Sequence, residues 1–406
     1  MSSRESAPVA ALRAAMDGAL SAARPRLFFA PGRVNLMGAH LDYNGGAVMP
    51  MALDRGTVVA ARLLAGREVR LSSLRESGVF EGHMDRLPER AVGRWFDYPL
   101  GVLRQFASEW PAGRGVELVF GGDLAIGAGL SSSASICVAT GVAATALVRG
   151  DSGTWSRERG LASDVARRLV DVALEAERNF VGVRCGIMDP HAVALGRPGQ
   201  LLWLDCRDRR FEHVPLDTAR YCVGVVDSRV RRELAAGEFN ERVAQCGALL
   251  ERLAAHVPGA QWLRDVPREV FDAALPTLPA VLAARGRHVF GEFERTTRSR
   301  QALLAGDAAL VGSLMVQTHT SLRENYEVST PELDSIVELA TSVRGVLGAR
   351  VTGAGFGGAC AVLLERGCEE ALREALVEPF TRRHGHAPGV EFFAGGAGPH
   401  EIEVSA

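Results

Sequence analysis

With 406 residues, 47% of them hydrophobic and 23% charged, the chain has the composition of a globular protein long enough for two domains of ordinary size. A net charge of −2 without any Lys/Arg run excludes an electrostatic footprint for nucleic acid. No apolar run approaches the roughly 20 residues that cross a bilayer, so no membrane partner is expected.

The start lacks the basic-then-apolar pattern of a secretory signal. Seven cysteines, an odd number with no C-x-x-C pair, argue against a disulfide framework or a zinc site. A cytoplasmic location with reduced thiols is the expectation.

In chain order, Val9, Leu12, Met16 and Leu20 recur at helical spacing, which predicts a helix over residues 7–24. A short strand at 26–30 then leads into residues 32–46. There Arg33, His40 and Asp42 stand close together beside Gly38, Gly45 and Gly46. Opposite charges, turn formers and an imidazole are poor core material and suit a polar ligand. Residues 48–63 read as strands interrupted near 54–56, and 116–120 alternates as another strand.

Residues 132–147 are almost all small or apolar, which predicts a helix buried on several sides and stopped by Gly150. The segment before it, residues 127–135, has the makings of a phosphate site. Gly127 and Gly129 let backbone approach an oxyanion, and the helix N-terminus offers unpaired N–H groups. Ser131, Ser132 and Ser133 add hydroxyls for phosphate oxygens or magnesium. The pattern is neither a P-loop, since no Gly-Lys-Ser/Thr follows, nor G-x-G-x-x-G. A turn with a helix cap is the plain alternative.

A second helix is predicted over 163–180, then a glycine-rich turn and a strand over 200–205. Glu177 on that helix and Asp189 beyond the turn can converge, one to ligate magnesium and the other to orient or deprotonate a hydroxyl. Alone the pair is weak, because most carboxylates are simply solvated. Arg33 could stabilise charge on the attacking oxygen or the transferred phosphoryl group.

The turn cluster at 196–199 puts a domain boundary near 195–215, giving domains 1–200 and 201–406. The second half alternates strands (221–226, 348–351, 360–364) with helices (240–255, 287–305, 309–320). A third glycine-rich loop, 351–359, leads out of a strand and serves either as a tight connection or as a second surface of the same cleft.

These three segments, in this order and spacing, resemble the galactokinase branch of the GHMP small-molecule kinases. Residues 32–46 look like the galactokinase signature, 127–135 like the family's nucleotide loop, and 352–358 like its third motif. The resemblance continues through 185–189, 287–289 and 319–329, and covers about residues 26–400.

It implies a two-domain α/β and α+β fold. The N-terminal domain would be a ribosomal-protein-like mixed α/β domain and the C-terminal one ferredoxin-like, with ATP and sugar meeting in the cleft between them. Asp189 falls on the catalytic aspartate and Arg33 on the arginine that eases alkoxide formation. Ser133 and Glu177 fall on magnesium ligands, and Trp95 on an aromatic near the adenine. His40, Asp42, Cys185 and Gly186 fall on sugar contacts. The implied reaction transfers the γ-phosphoryl group of MgATP to the anomeric hydroxyl of a hexose. Sugar and ATP are the implied partners, and a monomer or weak homodimer is expected.

Three positions depart from the family pattern: Ala39 for glutamate, Phe239 for tyrosine near the sugar, and Pro190 for glutamine after the catalytic aspartate. A hydrogen bond to a charged group is worth roughly 1.5–3 kcal/mol, so losing the glutamate weakens binding of the galactose C6 hydroxyl. A C6 carboxylate, conversely, would be repelled by glutamate by about 1–4 kcal/mol at about 4 Å. Plant galacturonokinases resemble this chain in having alanine there. D-galacturonate or another C6-modified galactose is therefore placed just ahead of galactose as acceptor. A non-catalytic galactose/ATP sensor is a minor alternative, disfavoured because Ser133, Ala134, Glu177 and Asp189 are all present.

Overall fold

The computed structural model describes residues 11–12, 25–124, 129–150, 161–183, 185–231 and 235–403. The helix expected over 7–24 lies outside these except for Ala11 and Leu12. Leu12 is buried against Leu27, Val58, Ala60 and Val119.

The first sheet is built from β1 (Arg26–Met37), β2 (Ala47–Leu64), β3 (Glu68–Ser73), β4 (Phe80–His83), β5 (Gly115–Gly122), β6 (Gln200–Asp205) and β7 (Phe211–Pro215). All its pairings are antiparallel except β3 with β5. β1 is longer than the five-residue strand expected, because the signature continues the ladder as far as Met37. Its residues are almost continuously buried, as in a strand covered on both faces. β2 runs unbroken through 54–56; the irregularity there is a register shift opposite, between Pro31 and Arg33.

Among the described residues, α1 (Asp97–Phe106), α2 (Ser132–Arg149), α3 (Ser163–Glu175) and α4 (Met188–Ala194) cover this sheet. α2 is apolar all round and packs against β1, β2, α1 and α3, as its composition predicts. By length and composition it could also cross a membrane, but 72% of it is buried in the core. Gly150, in the left-handed region at φ 69°, caps it. Beyond α3 the helix widens into a π turn, Ala176–Val181.

The second half contributes β8 (Tyr221–Asp227), α5 (Ala235–Ala254), α6 (Arg268–Ala274), α7 (Ala280–Leu304), α8 (Ala308–Ser321) and α9 (Pro331–Thr341). It continues with β9 (Val346–Thr352), β10 (Ala359–Glu365), α10 (Glu369–His384) and β11 (Gly389–Phe393). The four strands form a separate antiparallel sheet in the order β11-β8-β10-β9, the ferredoxin-like arrangement.

The period-two alternation of this sheet decides what each face meets. Cys222, Val226, Cys360, Val362 and Leu364 face a core with Ile336, Leu372 and Phe380 of α9 and α10. Val223, Val225, Ala361 and Leu363 face Val34, Leu36, Met49 and Met51 of the first sheet, with Leu314 of α8. The two sheets therefore share a core.

β6 and β7 pair into the first sheet, so by sheet membership the chain divides between Pro215 and Tyr221, later than residue 200. β12 (His400–Glu401) then returns to pair with β1.

Candidate active site

Four segments converge where the sheets meet. β1 carries Arg33 and runs into the loop holding Ala39, His40 and Asp42. The N-terminal turn of α2 carries Ser132 and Ser133, the π turn carries Glu177, and the first turn of α4 carries Asp189. Pro190 follows Asp189 within that first turn, where a missing N–H costs the helix nothing.

Arg33 is buried and grips Asp189 with both Nε and Nη2, each at 2.7 Å. Its Nη1 donates to Gly129 O at 2.5 Å. Ser131, left-handed at φ 57°, donates its hydroxyl to the same carboxylate. Ser131 thus sits against Asp189 as well as at the head of the serine run.

Glu177 is buried, and burial pushes its carboxyl up to about 7. A hydrogen bond from Ser133 opposes that rise, and the neighbouring charge of Asp189 adds to it. Cys185 sits beside Glu177, its Sγ 3.7 Å from Oε2, and burial pushes the thiol up to about 12.

Asp42 is also raised, to about 6, by burial and then by Asp189, with Arg33 opposing. Gly186 lies so close to it that an added Cβ would stand 1.8 Å from Asp42 Oδ2. Any side chain there would require the Asp42 carboxylate to move.

His40 adopts φ 59° and is buried; burial, then His288, Arg350 and Arg242, hold it well below the usual imidazole range. Its Nδ1 meets the Tyr43 hydroxyl at 2.8 Å, which in turn meets Tyr326 Oη at 2.8 Å. The Phe239 ring, on α5, is 6.0 Å from the His40 ring and 5.5 Å from that of Tyr43. Ala39 is buried.

Beside Ser132 and Ser133 opens a cavity of about 240 Å³, lined also by Trp95, Tyr98 and Phe120. Trp95 is fixed by its Nε1, which donates to Gly78 O at 3.1 Å. Gly127 lies outside the described residues.

Among the described residues no three His, Cys, Asp or Glu side chains form a metal cage. Ser133 and Glu177 instead offer two hard oxygens beside a second carboxylate, a donor set that suits magnesium shared with phosphate oxygens.

Sequence reasoning did not single out Tyr43, Tyr326, Glu292, His288 or Arg350. Tyr43 lies inside the signature, and His288 and Tyr326 lie in the matching stretches 287–289 and 319–329, so a signal existed for these three. Glu292 and Arg350 read as ordinary charges of a helix and a strand.

Comparison with known proteins places this geometry. Residues 19–63 match the galactokinase galactose-binding signature, 97–197 the GHMP kinase N-terminal domain, and 299–382 the GHMP kinase C-terminal domain. A galactokinase of Roseiflexus sp. is 40% identical over 353 residues, covering 86% of each chain. The chain belongs to the galactokinase family of GHMP kinases.

A galactokinase of Chloroflexus aurantiacus is 39% identical over 89% of each chain. The crystal structure of Lactococcus lactis galactokinase complexed with galactose superposes with a TM-score of 0.87 at 31% identity, covering 97% of this chain and 99% of that one. Methanococcus jannaschii mevalonate kinase, at 16% identity and a TM-score of 0.64, shares the fold. This galactokinase-family chain is accordingly a sugar kinase of the two-domain GHMP fold, and GHMP kinases use ATP.

Proposed function

We propose that the chain transfers the γ-phosphoryl group of MgATP to the anomeric hydroxyl of galactose. The observation that carries this reading is the bidentate Arg33–Asp189 pair set between the sugar-signature loop and the serine-lined aromatic cavity. The cavity would take the nucleotide, with Trp95 beside the base and Gly127, Gly129, Ser131, Ser132 and Ser133 towards the phosphates. Ser133 and Glu177 would hold magnesium, which when bound offsets phosphate charge.

A carboxylate has about four acceptor directions. Arg33 and Ser131 take three of them on Asp189, leaving one for the sugar hydroxyl. Asp189 would orient that hydroxyl and receive its proton, while Arg33, buried alongside, would stabilise the developing alkoxide. Asp42, His40, Cys185 and Gly186 would contact the sugar, with Phe239 closing the aromatic side.

The order of acceptors read from the sequence is reversed here: galactose stands ahead of galacturonate, because the relatives over nearly the whole chain are galactokinases. A C6-modified galactose remains a second reading, carried by Ala39. Glu292, the carboxylate bonded to the Ala39 N–H, already holds four donors and has none of its capacity left for a C6 hydroxyl.

The test is turnover with galactose, galacturonate, glucuronate and N-acetylgalactosamine, for wild type and Ala39→Glu. Galactose should be the best acceptor, and Ala39→Glu should raise its advantage over galacturonate. Galacturonate outpacing galactose would establish the second reading, and no turnover of any sugar would overturn both.

A further inference from the structure

The backbone between Arg33 and His40 is held by side chains from the second half of the chain. Pro50 faces Asn35 in the β1–β2 ladder and has no N–H to give, and the register shifts between Asn35 and Met37. The freed carbonyls are taken from outside the sheet. Arg350, 1% exposed on β9, donates to Leu36 O and, at 2.7 Å, to Asn35 O; Thr352 Oγ1 adds a bond to Asn35 O at 3.1 Å.

The next peptides are held by α7. Glu292, 0% exposed, accepts from Gly38 N at 2.9 Å and Ala39 N at 3.1 Å through Oε1. Its Oε2 accepts from Arg295 Nε at 2.8 Å and Thr318 Oγ1 at 2.7 Å. One turn earlier, His288 Nε2 donates to Ala39 O at 3.2 Å. Three consecutive peptides, from Met37 to His40, are therefore fixed by two side chains of one helix. Directly after them comes His40, a non-glycine residue in the left-handed region, a conformation that persists only where the surroundings impose it.

We infer that Glu292, together with His288 across the Ala39 residue, is a positioning residue for sugar binding: it holds His40 left-handed and its imidazole in the sugar-signature loop. Glu292 touches neither sugar nor nucleotide and acts through the backbone. Arg295 and Thr318 keep its carboxylate turned towards the loop. This inference rests on the sugar-kinase reading.

The test uses the full chain with Glu292→Gln. Glutamine matches the shape, but with its oxygen on the two amides its NH₂ faces the Arg295 and Thr318 donors. Galactose KM should rise about tenfold with ATP KM unchanged, as expected for one charge-assisted hydrogen bond lost at the sugar side alone. Amide exchange across residues 38–41 should also accelerate. A residue that merely stabilises the fold would lower Tm and leave galactose KM and that exchange unchanged, and this result would overturn the inference.

Should Glu292→Gln fail to fold, Thr318→Val removes one donor and keeps the ion pair. A rise in galactose KM of about threefold with faster exchange at 38–41 is then expected, and no change in either overturns the inference. If the wild type phosphorylates no sugar, the kinase reading falls. Exchange at 38–41 then judges the clamp alone: acceleration in the variant supports it and unchanged exchange overturns it.

Discussion

At the scale of single residues, the site gathers three carboxylates whose surroundings differ. Asp189 is gripped by Arg33 and Ser131, while the buried Glu177 and the half-buried Asp42 have weaker compensation. Asp189→Asn keeps the size but exchanges an acceptor for a donor facing Arg33. Its kcat should fall about 10²–10⁴-fold, the usual worth of a positioned acid–base group, with ATP KM little changed. Steady-state kinetics with galactose check this.

Glu177 gives a pH prediction with a definite sign. Its folded value of about 7 lies above the reference 4.5, so between those values the folded state holds a proton that the unfolded state has lost. Stability from this group is present below about pH 4.5 and is lost as pH rises towards 7. Glu177→Gln should flatten that decline, so the gap between variant and wild-type Tm should widen in the variant's favour from pH 5 to 7. A constant gap would rule out the raised carboxyl. A buried carboxylate that costs stability when ionised is what a cation-binding site provides when it has few protein ligands.

At the scale of elements, the chief lesson is how helix α2 meets the first sheet. Ser135, fully buried in its first turn, donates to Ala30 O at 2.9 Å and accepts from Thr57 N at 3.1 Å. It ties the serine segment to the point where β1 turns towards Arg33. Ser135→Ala removes both of these hydrogen bonds from the core and should cost about 1–3 kcal/mol in urea unfolding. Elements of this kind were legible in sequence. The 132–147 helix, its Gly150 stop, and the strands at 116–120, 221–226 and 360–364 follow from local period and from turn residues. β1 exceeded its predicted length because its ladder with β2 continues past the register shift at Pro31 and Arg33 as far as Met37.

At the scale of the whole molecule, the two sheets do not stand as separate bodies. Val34, Leu36, Met49 and Met51 share a core with Val223, Val225 and Leu363, and β12 closes the chain back onto β1. Unfolding should therefore be one transition. Far-UV circular dichroism and the fluorescence of the tryptophans, among them Trp95 and Trp110 of the first half, should give coincident melting curves. Two separated transitions would show that the shared core does not couple the halves.

The sequence by itself determined the family, the two-domain architecture and the main candidate residues, because those reside in short contiguous segments whose glycines, serines and charges have local reasons to be there. Asp42 and Gly186 were both singled out this way, but not their contact, the Asp42 carboxylate lying against Gly186. Only tertiary structure decided which groups face one another: Ser131 against Asp189, Phe239 beside His40, and Glu292 and Arg350 on the backbone of the signature loop. Periodicity reports which face of an element is buried and says nothing of its partner. A charge such as Glu292, buried on a helix and satisfied by residues far along the chain, leaves no local pattern from which its role can be read.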